Sequence, residues 1–211
     1  MSSTAPVVGI LLAGGKSSRM GGGDKCLRPL GGRPILVHII KRLKPQVSDM
    51  IINANEDASR FAGFGLPVVG DSITGYAGPL AGVHAGLAWI KRRRPDSAYG
   101  VTVATDTPFF PADLVPRFLA EVRDPPALLV ARSAEGVHPV IALWPIALAA
   151  DIEDALKHGL HKVGGFTEQH GAIEVPFPPA RIGGAEIDPF FNINRPEDLA
   201  AAEALMREHA P

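Results

Sequence analysis

The sequence predicts an α/β protein with a mostly parallel, Rossmann-like sheet covered by helices on both faces. Three observations lead there. Short apolar runs alternate along the chain with longer segments of helical periodicity, the rhythm of βαβ units. The first run, VVGILLA (7–13), is almost continuously apolar, as a strand buried on both faces should be. Several runs end in Gly, Asn or Asp, residue types that suit the turns after strands. The 211 residues are 46% hydrophobic, enough for one sizeable core, and no repeat, low-complexity tract or linker interrupts residues 1–211. A single domain is expected.

The elements follow in order. After the first strand and a glycine-rich loop, PILVHIIKRL (34–43) has apolar residues at 35, 36, 39, 40 and 43, a helical spacing opened by Pro34. DMIINAN (49–55) and PVVGD (67–71) read as strands. PLAGVHAGLAWIKRRR (79–94) is a helix whose basic end suits the helix dipole. AYGVTVATD (98–106) is a strand, and PADLVPRFLAEVR (111–123) a helix with an internal proline. ALLVARS (127–133) and HPVIALW (138–144) are strands, and PIALAADIEDALKHG (145–159) is a helix stopped by glycine. GAIEVPF (171–177) is a late strand. NRPEDLAAAEALMREH (194–209) closes the chain as a helix, with Asn194 and Glu197 spaced as a capping box.

Composition narrows the function. A net charge of -1 and a pI near 6.7 give no support to a nucleic-acid or anionic-membrane surface. Cys26 is the one cysteine, so no internal disulfide is possible and a reducing compartment fits. The start, MSSTAPVV, lacks the basic stretch and apolar core of a secretory leader. No apolar run approaches the ~20 residues of a membrane span. The expectation is a cytoplasmic protein.

Ligands of open α/β sheets bind beyond the carboxyl ends of the strands. Here the first strand runs into Gly14 and Gly15, the second ends in Asn53 and Asn55, the third in Asp71 and the fourth in Asp106. Turn preference alone accounts for any one of these residues; the set, beside the basic loop GGKSSRMGGGDK (14–25), points to a binding site. Glycines let backbone N–H groups approach an anion, and Lys and Arg neutralise it, so phosphate is the natural ligand. Two familiar phosphate loops fail. Gly15-Lys16-Ser17 has Ile10, not glycine, five residues before Gly15, which breaks the P-loop spacing. The adjacent Gly14 and Gly15 break the dinucleotide pattern G-x-G-x-x-G.

LLAGGKSSRMGGGDK instead resembles the nucleotidyltransferase signature L-A-G-G-x-S-x-R-M-G-x-x-K, with one additional glycine before Asp24. GRPILVH, IINAN, VVGDSITGYAGPLAG, VATDTPFFPADL, HPVIAL and FFNINRPEDL extend the match over almost the whole chain. Together they resemble the molybdenum cofactor guanylyltransferases. The loop alone is shared with sugar-phosphate nucleotidyltransferases, and a cytidylyltransferase acting on molybdopterin is the other near alternative. A catalytically silent nucleotide-binding regulator on the same fold would be expected to lack Lys25 or Asp106, and both are present.

The resemblance implies roles. Backbone groups of Leu12, Ala13 and Gly14 would contact GTP. Lys25 would bind its phosphates, with Arg19 as a second cation. Asn53 and Asp71 would bind the nucleotide, and Asp106 would contact it and hold Mg²⁺. Asn192 and Asn194, with His138, would line the molybdopterin side. Molybdenum-molybdopterin would be the acceptor, and molybdoenzymes or other cofactor-biosynthesis proteins would meet the enzyme transiently. The chain departs from the family pattern at Arg195, where Thr is usual. An acceptor phosphate is already ionised at neutral pH, so no Ser, Cys or His nucleophile is needed; alignment and charge neutralisation carry the rate. Cys26 follows Lys25, a neighbour able to lower a thiol pKa, and is assigned no role. No histidine pair has zinc-ligand spacing.

Overall fold

The computed structural model describes residues 6–14, 24–55, 57–71, 73, 78–123, 126–182 and 184–207. In chain order these form β1 (Val7–Leu12), the small hairpin β2 (Pro29–Leu30) and β3 (Arg33–Pro34), α1 (Ile35–Leu43), β4 (Asp49–Asn53) and β5 (Val68–Val69). Next come α2 (Pro79–Arg93), β6 (Tyr99–Ala104), α3 (Leu114–Glu121), β7 (Leu129–Ser133) and β8 (Gly136–Pro145). The chain closes with α4 (Ala149–Lys157), α5 (Val163–Gln169), β9 (Ile173–Pro176), the hairpin β10 (Ala180–Ile182) and β11 (Ala185–Ile187), and α6 (Pro196–Arg207).

The main sheet has seven strands in the order β5-β4-β1-β6-β8-β7-β9. The expected mostly parallel sheet is present, and β8 alone runs against its neighbours β6 and β7. The reversal follows from a tight connection: Ser133 pairs with Gly136, so β7 and β8 form a hairpin, which antiparallel strands permit and parallel strands do not. In register, Leu12 lies opposite both Asn53 and Ala104, and Asn53 opposite Val69. Four strand ends are thereby levelled into one crest.

Both faces of the sheet are covered, which is why β1 is a continuous apolar run. Val7 and Leu11 pack with α1, α3 and α6; Val8, Ile10 and Leu12 pack with α2, α4 and α5. Helix α2 lies very close to the strands. A Cβ on Gly86 would come within 2.6 Å of Ile10, and one on Gly82 within 2.2 Å of Asn53 Oδ1. Pro116 is tolerated in α3 because it sits in the first turn, where an N–H has no helical partner. The free N–H of Val115 is taken by Gln46 Oε1 at 2.9 Å.

Three sequence expectations change. The segment 145–159 is a short 3₁₀ turn followed by α4, because Pro145 holds extended backbone at its start. A further helix, α5, is unanticipated; its start, VGGF, has two poor helix formers, and burial of Val163 and Phe166 under the sheet overrides propensity. Finally, α6 is not closed by an Asn194–Glu197 box. Asp198 Oδ2 accepts from the N–H groups of Asn194 and Arg195, both at 2.8 Å, which leaves the Asn194 side chain for another partner. Among the described residues no helix is long and apolar enough to cross a membrane.

Candidate active site

The crest carries two lobes. The first is built where β4 and β5 end. Asn53, 4% exposed, donates from Nδ2 to the Val69 carbonyl at 3.0 Å and to Asp71 Oδ1 at 2.9 Å. Asn55 donates to Asp71 Oδ2 at 2.7 Å and accepts the Asp71 N–H at 2.9 Å. Both carboxylate oxygens of Asp71 are therefore held by amides. Gly82 on α2 makes room for the Asn53 side chain. Gly78, at φ 140°, brings the chain into α2 in a conformation that side-chain-bearing residues rarely adopt. Leu12, Gly14, Asn53, Asn55, Asp71, Gly78 and Val140 border a cavity of about 310 Å³.

The second lobe is built where β6 ends, and it is ionic. Lys25 Nζ donates to Asp106 Oδ2 at 2.9 Å and to Asn194 Oδ1 at 2.6 Å. Thr107 Oγ1 lies 3.2 Å from Asp106 Oδ1 and donates to Asn192 Oδ1 at 2.7 Å. The Ile193 N–H donates to the Asp106 carbonyl at 2.9 Å. A smaller cavity of about 70 Å³ lies among Leu12, Ala13, Lys25, Cys26, Thr105 and Asp106.

Leu12 borders both cavities. Its carbonyl accepts from Thr105 Oγ1 at 3.0 Å, and the Ala13 N–H donates to the Asn53 carbonyl at 2.8 Å. Those two backbone groups brace the crest, while Gly14 adjoins open space. Arg60 links the lobes: it pairs with Asp24 at 2.8 Å and donates to the Asn55 carbonyl at 3.0 Å. The turn presenting Lys25 is thus tied to the end of β4.

The structure brings together Leu12, Ala13, Gly14, Asn53 and Asp71 in or beside the first lobe, and Lys25, Asp106, Asn192 and Asn194 in the second. Arg19 lies outside the described residues. His138 meets Ser133 Oγ through Nε2 at 2.7 Å and packs on Phe190, and it borders neither cavity. From sequence Asn55 reads only as a strand end, although NAN spaces two amides to the same side; Thr107 inside DTPF and Arg60 carry no signal of their own there. Cys26 is corrected. Burial and the Asp24 carboxylate push its thiol from 9.0 up to about 11, so it is a protonated wall residue and no nucleophile. Among the described residues no group of three or more His, Cys, Asp or Glu could hold a metal. Asp106 offers one carboxylate, which suits Mg²⁺, a cation often bound by one or two carboxylates together with substrate phosphates and water.

A sequence model of the MobA-like NTP transferase domain matches residues 9–173. A protein of Mesorhizobium japonicum described as a molybdenum cofactor guanylyltransferase is 48% identical, covering 95% of this chain and 96% of that one. One of Bradyrhizobium sp. strain ORS 278, described in the same words, is 46% identical and covers 97% and 95%. The solved structure of molybdopterin-guanine dinucleotide biosynthesis protein A from Archaeoglobus fulgidus overlays with a TM-score of 0.71 at 19% identity, covering 95% of this chain and 99% of that one. Fold and crest are those of a nucleotidyltransferase, with a polar lobe beside an ionic one at the strand ends. Within that class, the chain belongs to the MobA-like molybdenum cofactor guanylyltransferase family.

Proposed function

We propose that the protein transfers GMP from GTP to the terminal phosphate of molybdenum-molybdopterin. An acceptor phosphate oxygen forms a bond to the α-phosphorus, and the bond from that phosphorus to the bridging oxygen breaks as pyrophosphate leaves. The product is the guanine dinucleotide form of the cofactor. The observation that carries this reading is Lys25, poised between Asp106 and Asn194 at the strand-end crest and next to the Asn53–Asp71 lobe. The names of relatives matched over nearly the full chain support guanine and molybdopterin as the substrates.

The two lobes divide the work. Guanine and its ribose take the cavity of Asn53, Asn55 and Asp71, where fixed amide and carboxylate groups favour a ligand of matching donor and acceptor pattern. The triphosphate takes the ionic lobe. Lys25 exchanges its contact with Asp106 for phosphate oxygens, a charge-assisted contact that strengthens as negative charge builds in the transition state. Asp106, released from Lys25, is the residue that would hold Mg²⁺; the ion, bound with the phosphates, supplies Lewis-acid neutralisation of charge. Asn192 and Asn194 join this lobe through Thr107 and Lys25, which suits an acceptor arriving beside the triphosphate. His138 is bonded to Ser133 and packs on Phe190, the residue two before Asn192. The one cysteine, buried and free, suits a reducing compartment and supports a cytoplasmic reaction.

The test is to incubate the protein with Mg²⁺, molybdopterin and each nucleoside triphosphate in turn, and to follow pyrophosphate release. GTP should be used in preference to ATP and CTP, and chelation of Mg²⁺ should stop the reaction. Better transfer from CTP would replace the guanylyl reading with a cytidylyl one.

A further inference from the structure

We infer that Ser133 and Asp188 are positioning residues for this transfer, forming a strut that fixes the loop carrying Asn192 and Asn194. The inference rests on the reading of the ionic lobe given above.

The loop leaves β11 and must deliver two asparagines, two residues apart, to the strand-end crest. Its working end is held by the site itself: Ile193 N–H on the Asp106 carbonyl, Asn192 on Thr107, Asn194 on Lys25. Its other end is held by Asp188. Oδ1 of Asp188 accepts the Phe190 N–H at 2.7 Å, which closes the turn locally. Oδ2 accepts from the hydroxyl of Ser133, the last residue of β7. Ser133 is 8% exposed, and the Asp188 side chain 14%.

Ser133 is a hub with a defined polarity. A carboxylate can only accept, so the hydroxyl proton is directed at Asp188. The oxygen then accepts from the Glu135 N–H at 3.2 Å and from His138 Nε2 at 2.7 Å. His138 must carry its proton on Nε2. Its ring lies on Phe190, with centroids 4.6 Å apart, and Phe190, 1% exposed, meets Phe177 edge-on at 5.3 Å. Burial holds the His138 pKa below its ordinary value, against the opposing pull of Asp188 and Glu135. Phe190 sets the depth of the loop through apolar burial, which is not directional. The directional bonds of Asp188 and Ser133 set its register. None of these side chains borders either cavity of the crest, so their effect on transfer runs through Asn192 and Asn194.

Ser133→Ala and Asp188→Ala test the strut with two readouts: hydrogen exchange of the Ile193 amide without ligands, and steady-state transfer with GTP, Mg²⁺ and molybdopterin. In each variant Ile193 should exchange ~10-fold faster and kcat should fall ~10-fold, the loss expected from a hydrogen bond to a charged group. KM for GTP should stay within about twofold, because the Asn53–Asp71 lobe is not part of the strut. A lower melting temperature with Ile193 exchange and kcat unmoved in both variants overturns the inference, and each variant stands in if the other fails to fold. Faster Ile193 exchange in the variants, with a wild-type protein that transfers no GMP, keeps the strut and removes the reaction. Normal transfer by the wild type with both readouts unmoved in the variants does the reverse.

Discussion

The two lobes of the crest are built on different physics although they share Leu12 as a common wall. In the Asn53–Asp71 lobe the groups satisfy one another: two amides and a backbone N–H close a ring around one carboxylate, within a stretch of nineteen residues from 53 to 71. In the Lys25–Asp106 lobe a cation and an anion meet from positions 81 residues apart, and Asn194 joins from 169 residues away. A closed neutral-donor network is rigid and selective, and it has little charge to offer a phosphate. An ion pair at a partly exposed crest is weakly held and ready to exchange partners. In the function proposed above, the first lobe tells nucleotides apart and the second moves charge.

Removing Asp106 should break this contrast most sharply. Asp106→Ala is expected to lower kcat by ~100-fold or more, the scale of losing a group that acts on transition-state charge. Its pairing partner is partly exposed, so unfolding should move by no more than ~1 kcal/mol. Steady-state kinetics across a Mg²⁺ titration, together with a urea melt, check both statements. A variant that unfolds, or that keeps Mg²⁺-dependent turnover, would make Asp106 structural or idle.

Lys25→Ala comes next. A charge-assisted phosphate contact is worth ~1.5–3 kcal/mol, so GTP affinity and turnover should fall together by ~10- to 100-fold. The variant also frees Asp106, which should bind Mg²⁺ no worse than before. Wild-type affinity for GTP in this variant would take Lys25 out of the site.

Much of this was legible in the sequence, and unevenly. Continuous apolar runs announced strands buried on both faces, so the sheet and its crest followed. Strand direction has no local signature, and β8 reverses because of where the Ser133–Gly136 turn falls. Asn53, Asp71 and Asp106 follow or close strands and Lys25 closes the glycine-rich loop, so the motifs that carry the family resemblance could name all four. Thr107 and Asn192, 85 residues apart, and Ser133 and Asp188, 55 apart, meet only through tertiary packing. Asn194 shows the limit from the other side: its spacing to Glu197 is that of a helix cap, yet Asp198 does the capping and Lys25 takes the amide oxygen.

The first lobe gives a smaller effect of a different kind. Asp71→Ala leaves the Asn53 and Asn55 amides without their shared acceptor. Guanine presents O6 as acceptor with N1–H and N2–H₂ as donors, and adenine a different pattern, so disordering these amides should blur the distinction. An unpaired buried group costs ~1–3 kcal/mol, which predicts that the preference for GTP over ATP falls ~10-fold. Transfer from bound GTP should change much less than in Asp106→Ala. Competition binding with GTP, ATP and CTP in Mg²⁺ decides the matter, and unchanged selectivity would assign base recognition elsewhere.

The smallest effect on activity is expected at Cys26, although it lines the ionic lobe beside Lys25. Burial and Asp24 raise its thiol to about 11, so it stays protonated and unreactive at neutral pH. Iodoacetamide at pH 7.5 should leave transfer intact, and Cys26→Ala should turn over near the wild-type rate. The consequence is instead alkaline instability. Between the ordinary thiol pKa of 9.0 and about 11, the unfolded chain has released the proton while the folded chain retains it. The unfolded state then binds fewer protons, and stability falls as pH rises through that window. Below pH 9 the effect is absent. Urea unfolding at pH 8 and pH 10.5 should show a loss for the wild type beyond that of Cys26→Ala, since every other titrating group is common to both. Equal losses would mean that the thiol ionises in the folded protein as readily as in the unfolded chain, and that the wall of the ionic lobe is wetter than its packing implies.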